Sequence, residues 1–212
     1  DSVAECRWHR SGTQDECSTL LDEAEQVADK LADPTMHKAM IEHYRSRMFR
    51  LFKQPDDALA AASRAIPLAQ SCNSPRVLGL CENALGNVYR SQRRSNEALA
   101  HFDVAADCFE REGDLEMQAI VLRNQGRCYE QKGESGRAIE ALEKSIELLR
   151  QLHLYVECAE AALDHATALH TLGENDEAEA EVQEARELFS SLGAVARVRD
   201  AEELLSRIAR RP

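Results

Sequence analysis

Long apolar runs are missing from this sequence. None approaches the roughly 18 residues that a membrane-spanning helix needs, and no basic, apolar, small-residue succession marks a signal peptide. Aromatic residues make up only 5%, and nine glycines with five prolines leave few turn formers in 212 residues. Such a chain, dominated by Ala, Leu, Glu and Arg, favours helices. The seven cysteines show no CxxC and no pairing pattern, which argues against a disulfide framework or zinc site and for reduced thiols in the cytoplasm. Positive charge is short: 26 Lys and Arg face 38 Asp and Glu, a formal charge of −12, so direct contact with nucleic acid or an anionic membrane is not expected. The chain opens on Asp1 rather than Met, and reads as the interior of a longer protein.

Chemical motifs are also lacking. There is no GxxxxGK[ST] phosphate loop, GxGxxG fingerprint, GxSxG elbow or HExxH pair. His165 and His170 lie five apart, about 140° round a helix, too far to chelate one ion easily; they read as a groove edge and a solvated imidazole. The carboxylates of Glu174 to Glu187 sit on a solvated helix face with no cleft to work in. No enzyme activity, cofactor or metal is expected.

What the sequence does contain is a period. Ala58, Ala98, Ala138 and Ala178 are 40 residues apart, as are Phe49, Tyr89, Tyr129 and Leu169. The same step links Ala65, Ala105, Ser145 and Ala185; Ile41, Cys81, Val121 and Ala161; Ala62, Phe102, Leu142 and Val182; and Leu68, Cys108, Leu148 and Leu188. Within a unit, Leu78, Cys81, Leu85, Val88 and Tyr89 form one helical stripe, and Ala98, Phe102, Ala105, Cys108 and Phe109 another. Each unit is therefore helix, turn, helix, and neighbouring units must stack to bury their stripes. Gly133 and Gly173 fall in turns within units, Pro34 and Pro75 at joins between them. Pro67 falls inside a second helix, where a kink or early end is expected. Cys17, Cys81, Cys108 and Cys128 fall in core columns and act as small apolar residues.

Gly86, Tyr89, Ala98, Phe102 and Ala105 resemble the tetratricopeptide signature, followed by Gly126, Tyr129, Ala138, Leu142 and Ser145. Ser46, Phe49, Ala58, Ala62 and Ala65, and Ala166, Leu169, Ala178, Val182 and Ala185, match more loosely. The common repeat has about 34 residues, so these units are a longer, 40-residue variety. It is similar to the LGN and kinesin-light-chain type, and to the sensor domains of bacterial MalT-like and SARP-type regulators, which the ending Ser191 to Ile208 resembles most. The resemblance implies one all-α domain, a right-handed superhelical solenoid of antiparallel helix hairpins with about 10 or 11 helices. Its parts would be a truncated first repeat (1–33, with Trp8 in the place of Tyr89), full repeats at 34–74, 75–114, 115–154 and 155–194, and a closing helix at 195–210. Arg199, Glu202, Glu203 and Ser206 would face solvent on that helix.

In this family the first helices line a concave groove. Register carries its contact positions onto His43, Arg47 and Arg50, then Asn83, Asn87 and Arg90, then Arg123, Arg127 and Glu130. The fourth repeat, with Leu163, Thr167 and His170, departs from the pattern. Asn can bond both polar groups of a peptide unit, and Arg grips a carboxylate with two donors. The implied function is a protein- or peptide-binding scaffold or sensor within a larger signalling or transcriptional regulator, taking an acidic or carboxylate-bearing peptide. The alternatives are a small-molecule sensor of the MalT-like kind and a module that self-associates through its N-terminal repeat, around Trp8 and Leu21. A third reading of the Arg positions is that they pair with the chain's many Glu.

Overall fold

The computed structural model describes residues 13–210, and among them every regular element is a helix. The helices are α1 (Gln14–Ala28), α2 (Thr35–Leu51), α3 (Pro55–Ser71), α4 (Pro75–Ser91) and α5 (Ser95–Glu112), then α6 (Leu115–Gln131), α7 (Ser135–Gln151), α8 (Tyr155–Leu172), α9 (Asn175–Ser191) and α10 (Val195–Ala209). The chain divides into two compact units, residues 1–112 and 113–212. In unit 1, α2 pairs with α3 and α4 with α5, while α1 packs on α2 and α3 on α4. In unit 2, α6 pairs with α7 and α8 with α9, α7 packs on α8, and α10 closes against α9. First helices also touch one another: α2 meets α4, α6 meets α8, and α8 meets α10. The expected all-α architecture of stacked hairpins is what forms.

The turns follow a finer period than the repeat. Lys53, Asn73, Arg93, Gly113, Gly133, His153, Gly173 and Gly193 all have positive φ, and successive members are 20 residues apart. A left-handed residue there lets the next amide reach back over the helix end. The Arg94, Glu134 and Glu174 amides donate to the Tyr89, Tyr129 and Leu169 carbonyls at 3.0, 2.9 and 3.0 Å, the closure of a Schellman C-cap. Glycine adopts this conformation without a Cβ penalty; four of the eight turns do without it.

The core is built from the 40-residue columns. Ala58, Ala98, Ala138 and Ala178 are wholly buried, as are Phe102, Leu142 and Val182. Why Gly stands at 86 and 126 is steric. A Cβ on Gly86 would lie 2.6 Å from the Phe102 ring, and one on Gly126 would lie 2.6 Å from Leu142 Cγ. The equivalent places in the outer repeats hold Ser46 and Ala166, opposite the smaller Ala62 and Val182. A larger residue on one helix is thus met by a smaller one on its hairpin partner.

A second exchange involves charge. Arg94 bonds Glu97, and Arg137 bonds Glu134, each at 2.9 Å. The signs at the two register positions are swapped, yet each guanidinium lies over its own repeat's tyrosine, Arg94 at 4.4 Å from the Tyr89 ring and Arg137 at 4.1 Å from Tyr129. Cation–π attraction conserves the arrangement while the sequence position changes.

Of the kink or early end expected at Pro67, the early end is corrected. Pro67 does not end its helix: α3 runs on to Ser71. Both Pro67 and Ser63, whose carbonyl loses its usual partner, are exposed, so water can satisfy that oxygen. At the N-terminus, Trp8 lies outside the described residues, and Leu21 packs in a core cluster with Cys17, Ile41 and Met48 rather than facing solvent. On α10, Arg199, Glu202, Glu203 and Ser206 are exposed, while Ala201, Leu204 and Ile208 are buried.

Candidate functional site

The register positions in unit 1 come together on the adjoining first helices α2 and α4. Along α4 they form a bonded row. Asn87 Nδ2 donates to the Asn83 carbonyl at 3.0 Å, and Arg90 Nη2 donates to Asn87 Oδ1 at 3.2 Å. On α2, Arg47 sits 6.0 Å from the Tyr44 ring centroid, and Arg47 and Arg50 are half-buried. His43 is only 4% exposed and packs edge-on against Tyr44 at 5.1 Å. Burial, and then the Arg47 charge, push its pKa down to about 3, while a hydrogen bond with the Leu80 backbone acts the other way. His43 is therefore a neutral support beneath the face rather than a group presented on it.

Helices α2 and α4 carry one carboxylate each, Glu42 and Glu82. Both are drawn toward second helices. Glu42 accepts from Arg45 at 2.9 Å and from Arg64 at 3.0 Å, and Glu82 meets His101 at 2.6 Å. The first-helix face of unit 1 thus combines three arginines with Asn87, while Asn83, 9% exposed, is buried at its base.

Unit 2 uses the same register positions differently. Arg123 Nε donates to Asp164 at 2.5 Å, and its Nη1 donates to Glu160 at 2.6 Å. Glu160 in turn meets Arg197 at 2.5 Å, which joins α6, α8 and α10 in one ion ladder. Burial opposes the charge on Arg123, but Asp164 and Glu160 outweigh it and hold the guanidinium above its ordinary pKa. Arg127 stands 3.6 Å from Asp164, beyond hydrogen-bond length. Glu130 accepts from Thr171 at 2.7 Å and from Ser135 at 2.9 Å. A cleft of about 400 Å³ opens beside this ladder.

Sequence reasoning singled out Arg123 and Arg127 but not Glu160, Asp164 or Arg197. The signal was present: Arg123 precedes Glu160 by 37 and Asp164 by 41 residues, and Glu160 precedes Arg197 by 37. With a 40-residue period, those offsets put opposite charges on facing turns of successive first helices.

The His165 and His170 expectation is corrected in part. His165 is buried, 4% exposed, and its Nδ1 meets Glu181 at 2.9 Å. Burial lowers its pKa, yet Glu181, with Glu143 and Glu177 further off, raises it by more. His170 meets Asn175 at 2.6 Å. Among the described residues no group of three or more His, Cys, Asp or Glu is placed to hold a metal, and no helix is long and apolar enough to cross a membrane. Burial raises the Cys81 thiol to about 12, so it is an inert core group.

These hairpins have relatives. The tetratricopeptide repeat family model matches residues 80–151, and the fold of the described helices is that of tetratricopeptide-like solenoids, typically scaffolds rather than enzymes. Response regulator aspartate phosphatase A of Bacillus subtilis is 26% identical over 121 residues, 57% of this chain and 32% of that protein. The chain therefore spans about a third of the length of the curated relative it matches. A Rap protein complexed with competence and sporulation factor superposes with a TM-score of 0.80 at 14% identity, over 92% of this chain and 58% of the other. A STAND signal-transduction ATPase with a tetratricopeptide repeat sensor, from Pyrococcus horikoshii, gives 0.79 at 17% identity, over 97% of this chain and 31% of the other.

Proposed function

We propose that this chain is a peptide-recognition domain of a larger cytoplasmic signalling or transcriptional regulator, and that the first-helix face of unit 1 takes an acidic or carboxylate-bearing peptide. The observation that carries the reading is the Asn83–Asn87–Arg90 row beside Arg47 and Arg50, on helices whose two carboxylates bond elsewhere. Asparagine amides bond a peptide backbone whatever its side chains, and arginine forks select carboxylates. The fold shared with a Rap protein in complex with competence and sporulation factor supports this assignment. His43 supports the face from below. At Arg123 the guanidinium bonds are already made within the chain by Asp164 and Glu160, so recognition centres on unit 1.

The test is binding to a peptide array that presents acidic, neutral and C-terminally amidated versions of each sequence. Arg47→Glu with Arg90→Glu is expected to lower acidic-peptide affinity by about 100-fold, roughly 2.7 kcal/mol, with the melting temperature little moved. Capture that survives the double substitution, or that shows no preference for acidic peptides, sinks the reading.

A further inference from the structure

The cleft of unit 2 contains two sets of charges. The inner set, Arg123, Asp164, Glu160 and Arg197, is saturated by its own bonds of 2.5 to 2.6 Å. The outer set lines the same cleft and is not saturated. Arg127 has only the 3.6 Å approach to Asp164, and Asp200 only a 3.4 Å contact with Arg197. Glu203 and Arg207, one turn apart on α10, have no ion-pair partner among the described residues. The unspent charges are thus two positive and two negative, presented by α6 and α10 on either side of α8.

We propose that this cleft binds a small zwitterion, a molecule carrying a carboxylate and an ammonium group close together. A simple anion would be drawn to Arg127 and Arg207 but would meet Asp200 and Glu203 with like charge; a simple cation would meet the reverse. Only a ligand with both signs gains on both sides, and unfavourable like-charge contacts reject the others. The carboxylate lies against the guanidinium groups, which offer paired donors. The ammonium group lies against Asp200 and Glu203. Leu163 and Leu204 give the cleft a small apolar floor, and its volume of about 400 Å³ suits one small molecule rather than an extended chain. The ladder stays intact, so binding costs no buried ion pair. This site is independent of the peptide face of unit 1.

The experiment is an amide NMR titration of the full chain with four probes: L-alanine, L-alanyl-L-alanine, N-acetyl-alanyl-alanine as the anion, and alanyl-alanine amide as the cation. Saturable shifts around the cleft are expected with a zwitterionic probe, and affinity at least about tenfold lower with either capped probe. Saturation by alanine assigns a free amino acid, and saturation by the dipeptide alone assigns a short peptide with both ends free. Arg127→Gln and Glu203→Gln, which lie outside the saturated ladder, should each weaken zwitterion binding by about tenfold and leave the thermal midpoint in place. The proposal is overturned if the acetylated anion binds as well as the zwitterion, if neither zwitterion shifts cleft resonances by about 10 mM, or if the shifts survive both substitutions.

Discussion

The first helices of unit 1 and unit 2 both carry arginine, Arg47 in the column of Arg127 and Arg123 one turn earlier in that of His43 and Asn83, and they place it in different surroundings. Arg123 finds Glu160 and Asp164 at 37 and 41 residues further on, and its guanidinium is consumed by them. Arg47 finds Ala84 and Val88 at the same offsets, neither of which can accept a charged bond. A repeat register therefore names where a position lies, but the residues one repeat away decide which charges it meets. The arginine-pairs-with-carboxylate reading describes Arg123; the Arg- and Asn-lined face is what we propose for unit 1.

The strongest way to break this contrast is Arg123→Ala. It leaves Asp164 and Glu160 facing each other with about a fifth of their side-chain surface exposed, and should cost roughly 2 to 4 kcal/mol in chemical denaturation. Arg47→Ala should cost well under about 1 kcal/mol and act on peptide binding instead. Equal stability losses would show that the two units do not divide the work.

The histidines give the next largest effect. His43 is held neutral in the fold, so below its ordinary 6.5 the unfolded chain binds a proton that the folded chain refuses. Stability is therefore lost as pH falls from 6.5 toward about 3. From pH 6.5 to 5 the loss is roughly 2 kcal/mol, and His43→Gln should remove most of it in denaturant titrations at the two pH values. His165 has the opposite sign. Its raised pKa adds stability that is complete below 6.5 and is lost as pH climbs through the folded value, so His165→Gln should flatten the alkaline side. A variant of either residue that leaves its own limb unchanged contradicts the assignment.

Packing separates the units more finely. Gly86→Ala drives a Cβ against the rigid Phe102 ring. Overpacking less the gain in helix propensity leaves a net destabilisation of about 1 kcal/mol. Gly126→Ala meets an aliphatic Leu142 side chain rather than a rigid ring, and should cost less by thermal melting. The smallest effect belongs to the turns. Arg93 sits at φ 60°, so Arg93→Gly should stabilise by up to about 1 kcal/mol, set against the extra freedom of the unfolded chain. A lower melting temperature would mean that the Arg93 side chain does more than tolerate its turn.

The columns that could be read directly were those in which one residue type answers one steric demand. Alanine at 58, 98, 138 and 178, and glycine at 86 and 126, mark places where two helix axes come close, and the 40-residue period followed from them. The 20-residue turn period was harder to see, because Lys53, Asn73, Arg93 and His153 occupy the same left-handed position as the glycines. The residue type there is not forced, since the helix ends on both sides impose the conformation. Pro67 shows the converse: a residue that breaks helices in isolation is carried through one, because the Ser63 carbonyl it leaves unmet lies at an exposed position.

Periodic apolar spacing alone determines helices, hairpins and their stacking, because each stripe has a single way to leave water. It cannot determine the state of a polar group. Whether Arg123 is open or closed, whether the pKa of His43 falls and that of His165 rises, and whether Arg127 and Glu203 keep spare bonding capacity all depend on groups that the fold brings within a few ångströms. Electrostatic energies fall off over that distance, and only the folded packing of the helices sets it.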